Sequence, residues 1–422
     1  MSHNAVVIGG NRTPFAKSGG VFAEASNHDL LTAAIDGLSA RFGLAGTRIG
    51  EVAAGAVLKH PHDFNLTREA VLSSSLSPLS PACDLQQACG TGLETTIYIA
   101  NKIALGQIDS GIAGGTDSAS DAPITVSDPL RRILLKASAA RSTRDRIKAF
   151  AKVRPSYLAP EAPRVVEPRT GLSMGEHQAL TTKTWQIGRE DQDELAAASH
   201  HKLAAAWDKG FFDDLVTPYL GVTRDAIMRP DTTVAKLSQL KPAFGGANGT
   251  MTAGNSTALS DGAATVLLAN EDWAREHHLP VLARFVDGNV TAVDHPAGSD
   301  LLLAPVAATG RMLDRNGLTL DDFDLVEIHE AFASTVLATL AAWESDEYCR
   351  GIGINSAIGT LDRTKLNVCG SSLAVGHPFA ATGARIVPTL AKLLHERGPG
   401  SRGLISICAA GGQGVVAILE AM

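Results

Sequence analysis

Short runs of apolar and small residues recur along the chain, at 5–8, 111–114, 264–268, 325–328, 404–408 and 415–419. They lack polar alternation, so they predict strands buried on both faces. Leu93, Ile97, Ala100 and Ala104 instead repeat at helical spacing, and Gly106 stops that pattern. Strand runs interleaved with helical runs predict an α/β fold. The two ends of the chain also resemble each other. Thr91-Gly92 opens a helix leading to the strand at 111–115, and Thr382-Gly383 opens another leading to the strand at 403–408. This predicts a duplicated core domain.

Length and composition narrow the class. The chain has 422 residues, enough for two or three domains, and is 45% hydrophobic and 19% charged, as ordinary globular chains are. Its 41 glycines favour close helix-on-sheet packing. A net charge of −7 argues against general nucleic-acid binding. No apolar run is long enough for a transmembrane helix. The start has no cationic region or cleavage pattern, so a cytoplasmic location is expected. Five cysteines without regular spacing fit a reducing compartment, and the lack of a CxxC pair argues against a structural zinc site. Against the acidic whole, residues 131–169 carry eleven Lys/Arg and three acidic residues. Four prolines exclude one long helix there. The stretch reads as a solvated loop, or as a basic surface for a phosphate-bearing ligand, an anionic partner or a membrane face.

Three segments carry candidate chemistry. In Gln86-Gln87-Ala88-Cys89-Gly90-Thr91-Gly92, a thiol sits where a helix begins. The helix dipole and free amides there favour thiolate and can hold an oxyanion. In Gly376-His377-Pro378, small neighbours and a stiff turn leave an imidazole able to accept a thiol proton. In Cys408-Ala409-Ala410-Gly411-Gly412, a second thiol ends a strand ahead of a turn rich in amides. Singly, each has a bland alternative: a packed cysteine or a hydrogen-bonded turn histidine.

Together these segments resemble the thiolase family over essentially the whole chain. The likeness also rests on Arg12-Thr13-Pro14-Phe15, Gly114-Gly115-Thr116-Asp117-Ser118, Lys241-Pro242-Ala243-Phe244, Thr252-Ala253-Gly254-Asn255, Asp261-Gly262-Ala263-Ala264 and His329-Glu330-Ala331-Phe332. The resemblance implies a thiolase-like fold of two similar layered α/β/α core domains with an inserted loop domain. The expected bounds are 1–121 with 246–272 for the N-terminal core, 122–245 for the loop domain, and 273–422 for the C-terminal core. It implies Cys89 as nucleophile, His377 as its activator, Cys408 as acid/base and His329 in an oxyanion hole. The backbone amides of Cys89 and Ala410 would form a second hole. Met174, Arg229, Thr257 and Phe332 would contact substrate or coenzyme A, which serves as co-substrate rather than a permanently bound cofactor. No metal is implied. A homodimer or homotetramer is expected.

Many thiolases carry Asn where this chain has His329. The form found here is similar to the thiolase subunits of trifunctional fatty-acid oxidation complexes. This favours cleavage of 3-ketoacyl-CoA in β-oxidation, beside a possible hydratase/dehydrogenase partner. The alternatives are an acetoacetyl-CoA-forming enzyme and a catalytically weak scaffold subunit. An imidazole keeps the donor capacity of an amide, but the sequence leaves its tautomer open. Ser173 replaces a family histidine before Met174, and Lys236 stands where a serine often meets adenine. Cys83 and Cys369 read as packed core, and His200-His201 as a helix surface.

Overall fold

The apolar runs lack polar partners because helices cover both faces of the sheet they build. The computed structural model describes residues 4–164, 166–298 and 300–422. The main strands are β1 (Ala5–Arg12), β2 (Glu51–Ala54), β3 (Ala82–Asp84), β4 (Ser110–Ser118), β5 (Ser260–Asn270), β6 (Ala283–Ala292), β7 (Leu325–Ile328), β8 (Arg402–Ala409) and β9 (Gln413–Ala421). Period-two alternation divides their side chains between two interiors. Ile405, Ile407, Val415, Ala417 and Leu419 enter one apolar cluster, while Leu404, Val416 and Ile418 enter another. Val7 and its neighbours Val6 and Ile8 are divided in the same way.

The sheet order is β7-β8-β9-β6-β1-β5-β4-β2-β3, with the short strand Ala16–Lys17 added on β5. Two copies of one topology are joined edge to edge. In one, β2 runs parallel to β4, β4 antiparallel to β5, and β5 antiparallel to β1. In the other, β7 runs parallel to β8, β8 antiparallel to β9, and β9 antiparallel to β6. The seam is the short antiparallel pairing of Val6 and Val7 with Arg284 and Ala283. The duplication expected from the sequence is present.

The main helices are α1 (Asn27–Phe42), α2 (Thr91–Ala104), α3 (Met174–Thr184), α4 (Arg189–Asp208), α5 (Ala304–Asn316), α6 (Ala333–Glu344) and α7 (Ala381–Arg397). The two inner helices, α2 and α7, are equivalent in the repeat and cross at their first turns. A Cβ on Gly383 would lie 2.2 Å from the Leu93 backbone nitrogen, and one on Gly92 would lie 2.5 Å from that of Ala384. Only glycine permits so close a crossing. It brings together the segments that precede the two helices, one carrying Cys89 and the other His377.

The chain forms two compact units. The larger comprises Met1–Val57, Asn65–Asp121 and Val166–Met422, and holds every candidate site residue. The smaller comprises Leu58–Phe64 and Ala122–Val165. The basic stretch in it forms helices Asp128–Ser138 and Thr143–Phe150, with Arg131 and Arg132 both paired to Asp128. Among the described residues, no helix is long and apolar enough to cross a membrane. All five cysteines are free thiols.

Candidate active site

Cys89 lies in a tight turn at the start of α2. Thr91 shapes that turn: its hydroxyl donates to the Ala88 carbonyl at 2.7 Å and accepts from the Gln87 amide at 2.8 Å. Ala88 is held at φ 47°, in the left-handed region. Such backbone costs roughly 1 kcal/mol or more in a non-glycine residue and is concentrated at functional sites. The Cys89 sulfur faces two backbone amides, its own and that of Ala410. The Ala410 amide comes from the β8–β9 turn, where Gly411 and Gly412 take φ 79° and 69°. Glu167 accepts from the Gly411 amide at 2.6 Å and so secures that turn.

His377 is placed from three sides. Its backbone amide donates to Ser260 Oγ at 3.0 Å, and its Nδ1 meets Thr382 Oγ1 at 2.5 Å. Asp117 accepts from the Ala380 amide at 2.8 Å, while Gly115 leaves room for the Ala380 carbonyl. Nε2 then lies 3.0 Å from Cys89 Sγ. His329 follows β7 and extends its ladder by donating its amide to the Ser406 carbonyl at 2.9 Å. The two imidazole centroids are 4.2 Å apart. A nitrogen of each ring and the Cys89 sulfur all lie within 4.8 Å of one another. Zinc accepts such a donor set, and a thioester carbonyl entering between the groups would meet the same convergence.

Cys408, at the end of β8, is buried in an apolar cluster with Met251, Leu301, Leu302 and Phe332, against which Met174 and Phe244 pack. Its thiol is close enough to Cys89 for their charges to interact. Met174 and Phe332 therefore border the reactive groups. The Thr257 hydroxyl donates to the Ser372 carbonyl at 2.9 Å. Arg229 lies against His200, its backbone amide donating to His200 Nδ1 at 3.2 Å.

The surroundings correct two expectations. First, desolvation of the half-buried Cys89 opposes the helix-start effect. Desolvation pushes its thiol up to about 12, with a contribution from Asp117, and the two amides oppose this only in part. Burial, and then the Arg385 cation, push His377 down to about 3. Burial, His377 and Arg385 also hold His329 well below its ordinary value. Burial raises the Cys408 thiol, and Cys89 adds to that. Both shifts favour a neutral thiol beside a neutral imidazole at rest over a thiolate–imidazolium pair. Alkylation of Cys89 by iodoacetamide is therefore expected to accelerate about tenfold per pH unit from pH 6 to 9, following the thiolate fraction. A rate already flat from pH 5 upward would contradict the neutral pair. Second, His200 is fully buried rather than on a helix surface, and burial pushes it down to about 4. It faces Arg229, while His201 is the exposed member, directed at the Thr232 carbonyl.

Several contributors were not singled out from the sequence. Glu330 accepts from the Ser199 hydroxyl, Asn367 Nδ2 and the Leu373 amide, at 2.7, 2.8 and 3.2 Å, and so anchors the segment carrying His329. Ser372 meets His329 Nδ1 at 2.8 Å, and Arg385 donates to Ser372 Oγ at 3.2 Å. A lone arginine in the otherwise apolar stretch of α7 was the available signal.

Known proteins bear directly on this geometry. Residues 5–272 match the model of the thiolase N-terminal domain, and residues 279–421 that of the thiolase C-terminal domain. The chain belongs to the thiolase family. It is 42% identical to a 3-ketoacyl-CoA thiolase of Yersinia pestis (strain Pestoides F), over 98% of this chain and 96% of that one. Among solved structures it resembles Bacillus anthracis acetyl-CoA acetyltransferase, with TM-score 0.83 and 28% identity over 100% of this chain and 99% of that one. It equally resembles human mitochondrial 3-ketoacyl-CoA thiolase in complex with CoA, with TM-score 0.81 and 28% identity over 100% and 98%. With the Cys–His–His cluster in place, this thiolase is an acyltransferase.

Proposed function

We propose that this thiolase cleaves 3-ketoacyl-CoA with free CoA, giving acetyl-CoA and a shortened acyl-CoA, in fatty-acid β-oxidation. Cys89 attacks the keto carbon and passes its proton to His377. The carbon–carbon bond breaks, and its electron pair becomes the enolate of acetyl-CoA. Cys408 supplies the proton to that carbon; its raised pKa keeps it in the acid form beforehand. The thiol of a second CoA gives its proton to the Cys408 thiolate and displaces the acyl group from Cys89, whose sulfur takes back the proton held by His377, completing a ping-pong cycle. His377 and His329 face one developing oxyanion, and the amides of Cys89 and Ala410 face the other. Each donor is worth roughly 3–4 kcal/mol of barrier where such groups have been removed.

One observation carries the preference for longer acyl chains. A cavity of about 810 Å³ has a mixed lining, polar at Glu176, Lys183, Gln186 and Asn248 and apolar at Leu172, Leu180, Ile187, Ala179, Phe244 and Met251. The last three also belong to the apolar cluster around Cys408. The volume suits a drug-sized ligand, and the apolar side shared with the Cys408 cluster accommodates an acyl tail. The similar Yersinia protein, named a 3-ketoacyl-CoA thiolase, supports the same reading. The His-Glu-Ala-Phe form of the His329 segment favours work beside a hydratase/dehydrogenase partner.

Condensation of two acetyl units is the second reading, favoured by the likeness to an acetyl-CoA acetyltransferase. Cleavage rates over 3-ketoacyl-CoA substrates of increasing length separate the two. The first reading expects kcat/KM to be about tenfold or more higher at eight or more acyl carbons than at four, since a few buried methylenes contribute about 0.8 kcal/mol each. A maximum at four carbons would favour condensation.

A further inference from the structure

The oxyanion role proposed for His329 raises a question that an asparagine would not. An amide has fixed donors, whereas a neutral imidazole donates from only one of its two nitrogens. Some neighbour must determine which nitrogen carries the proton.

The partners of Ser372 decide it. Its hydroxyl is buried and has two partners among the described residues, Arg385 Nη2 at 3.2 Å and His329 Nδ1 at 2.8 Å. A guanidinium only donates, so it takes a lone pair of Ser372 Oγ. The hydroxyl proton then has one acceptor to meet, the Nδ1 of His329. If Nδ1 carried the proton instead, Ser372 would receive two donors and its own buried hydroxyl proton would have no acceptor, at a cost of about 1–3 kcal/mol. The other ring nitrogen, Nε2, is buried and has no hydrogen-bond partner among the described residues. Its imidazole lies against His377, beside the Cys89 sulfur.

We infer that Arg385 and Ser372 are positioning residues that lock His329 in the tautomer with its proton on Nε2, directed at the oxyanion. The chain runs Arg385 to Ser372 to His329 to substrate oxygen, each group donating to the next. Arg385 polarises the serine hydroxyl, which makes the imidazole N–H a stronger donor. The same cation discourages protonation of both imidazoles, so the donor stays neutral. The inference deepens the proposed mechanism and rests on its oxyanion assignment for His329.

Two-bond ¹⁵N–¹H correlation spectra of the intact enzyme, labelled at histidine, read each tautomer directly. His329→Asn identifies the His329 signals. The wild-type ring is expected to show protonated Nε2 and unprotonated Nδ1. Ser372→Ala is expected to populate the Nδ1–H form and to lower kcat about 10- to 100-fold, leaving KM and the alkylation rate of Cys89 unchanged. Ser372→Thr, which keeps the hydroxyl, is expected to restore both the tautomer and kcat. A wild-type ring protonated on Nδ1 overturns the inference, as does an alanine variant with unaltered tautomer and kcat. If the expected tautomer is present but His329→Ala cleaves substrate at the full rate, the oxyanion assignment fails while the wiring stands.

Discussion

Replacing Cys89 with alanine is expected to abolish 3-ketoacyl-CoA cleavage, by about 10⁴-fold or more, with little change in folding. The size follows from the group lost. Without the sulfur, no acyl intermediate forms, and His377 and the oxyanion donors have no bond to act on. Enzymes stripped of a nucleophile retain only what binding and oxyanion stabilisation supply. Stability should barely respond, because the sulfur contributes little packing and its closest neighbours are polar: His377 Nε2 at 3.0 Å and the amides of Cys89 and Ala410. A thermal melt beside a steady-state assay checks both halves. Residual turnover above about 1% of wild type would show that another group carries the acyl chain.

Cys408→Ala is expected to divide the reaction rather than stop all of it. Acylation of Cys89 by a simple acyl-CoA needs no proton on carbon and should survive. Exchange of the acetyl-CoA α-hydrogens with D₂O needs an acid/base at that carbon and should fall about 10²- to 10⁴-fold, the range for losing a general acid/base. Cleavage should fall with it, since the departing enolate can no longer be protonated. Burial and the proximity of Cys89 keep the Cys408 thiol protonated, the form needed to donate to an enolate. Exchange measured by NMR at the wild-type rate in the alanine variant would remove Cys408 from this role.

Much of this was legible in the sequence because the strongest signals are local. The six apolar runs all fall within observed strands, which extend further at most ends because sheet pairing recruits residues that hydrophobicity alone does not mark. Strand β6 carried no such signal. Its Arg284, Asp287 and Asn289 are polar, yet Asp287 is paired with Arg315 and Asn289 Nδ2 donates to the Ala308 carbonyl. Tertiary partners made a strand where no apolar run announced one. The matching Thr-Gly pairs revealed the duplication because each glycine answers the same demand, a helix crossing too close for a Cβ. Cys89 stood out because Gly90 and Gly92 follow it, His377 because Gly376 and Pro378 enclose it, and Cys408 because it leads into Gly411-Gly412.

What could not be read locally depends on convergence. His200 looked exposed by residue type, but α4 turns it inward against Arg229. The helix start at Cys89 suggested a thiolate, and only the depth of the surrounding fold reverses that. Ser372 and Arg385 are ordinary residues in sequence, and their connection to His329 exists only where α7 and the end of β7 meet.

The central claim is that Cys89 carries the acyl chain between two CoA thiols. Its most direct test is a single turnover of 3-ketoacyl-CoA without free CoA, followed by acid quench and peptide mass analysis. The account expects one equivalent of acetyl-CoA released per active site and the shortened acyl group on the peptide containing Cys89. No acetyl-CoA until free CoA is added, or an acyl group on any other residue, would contradict it.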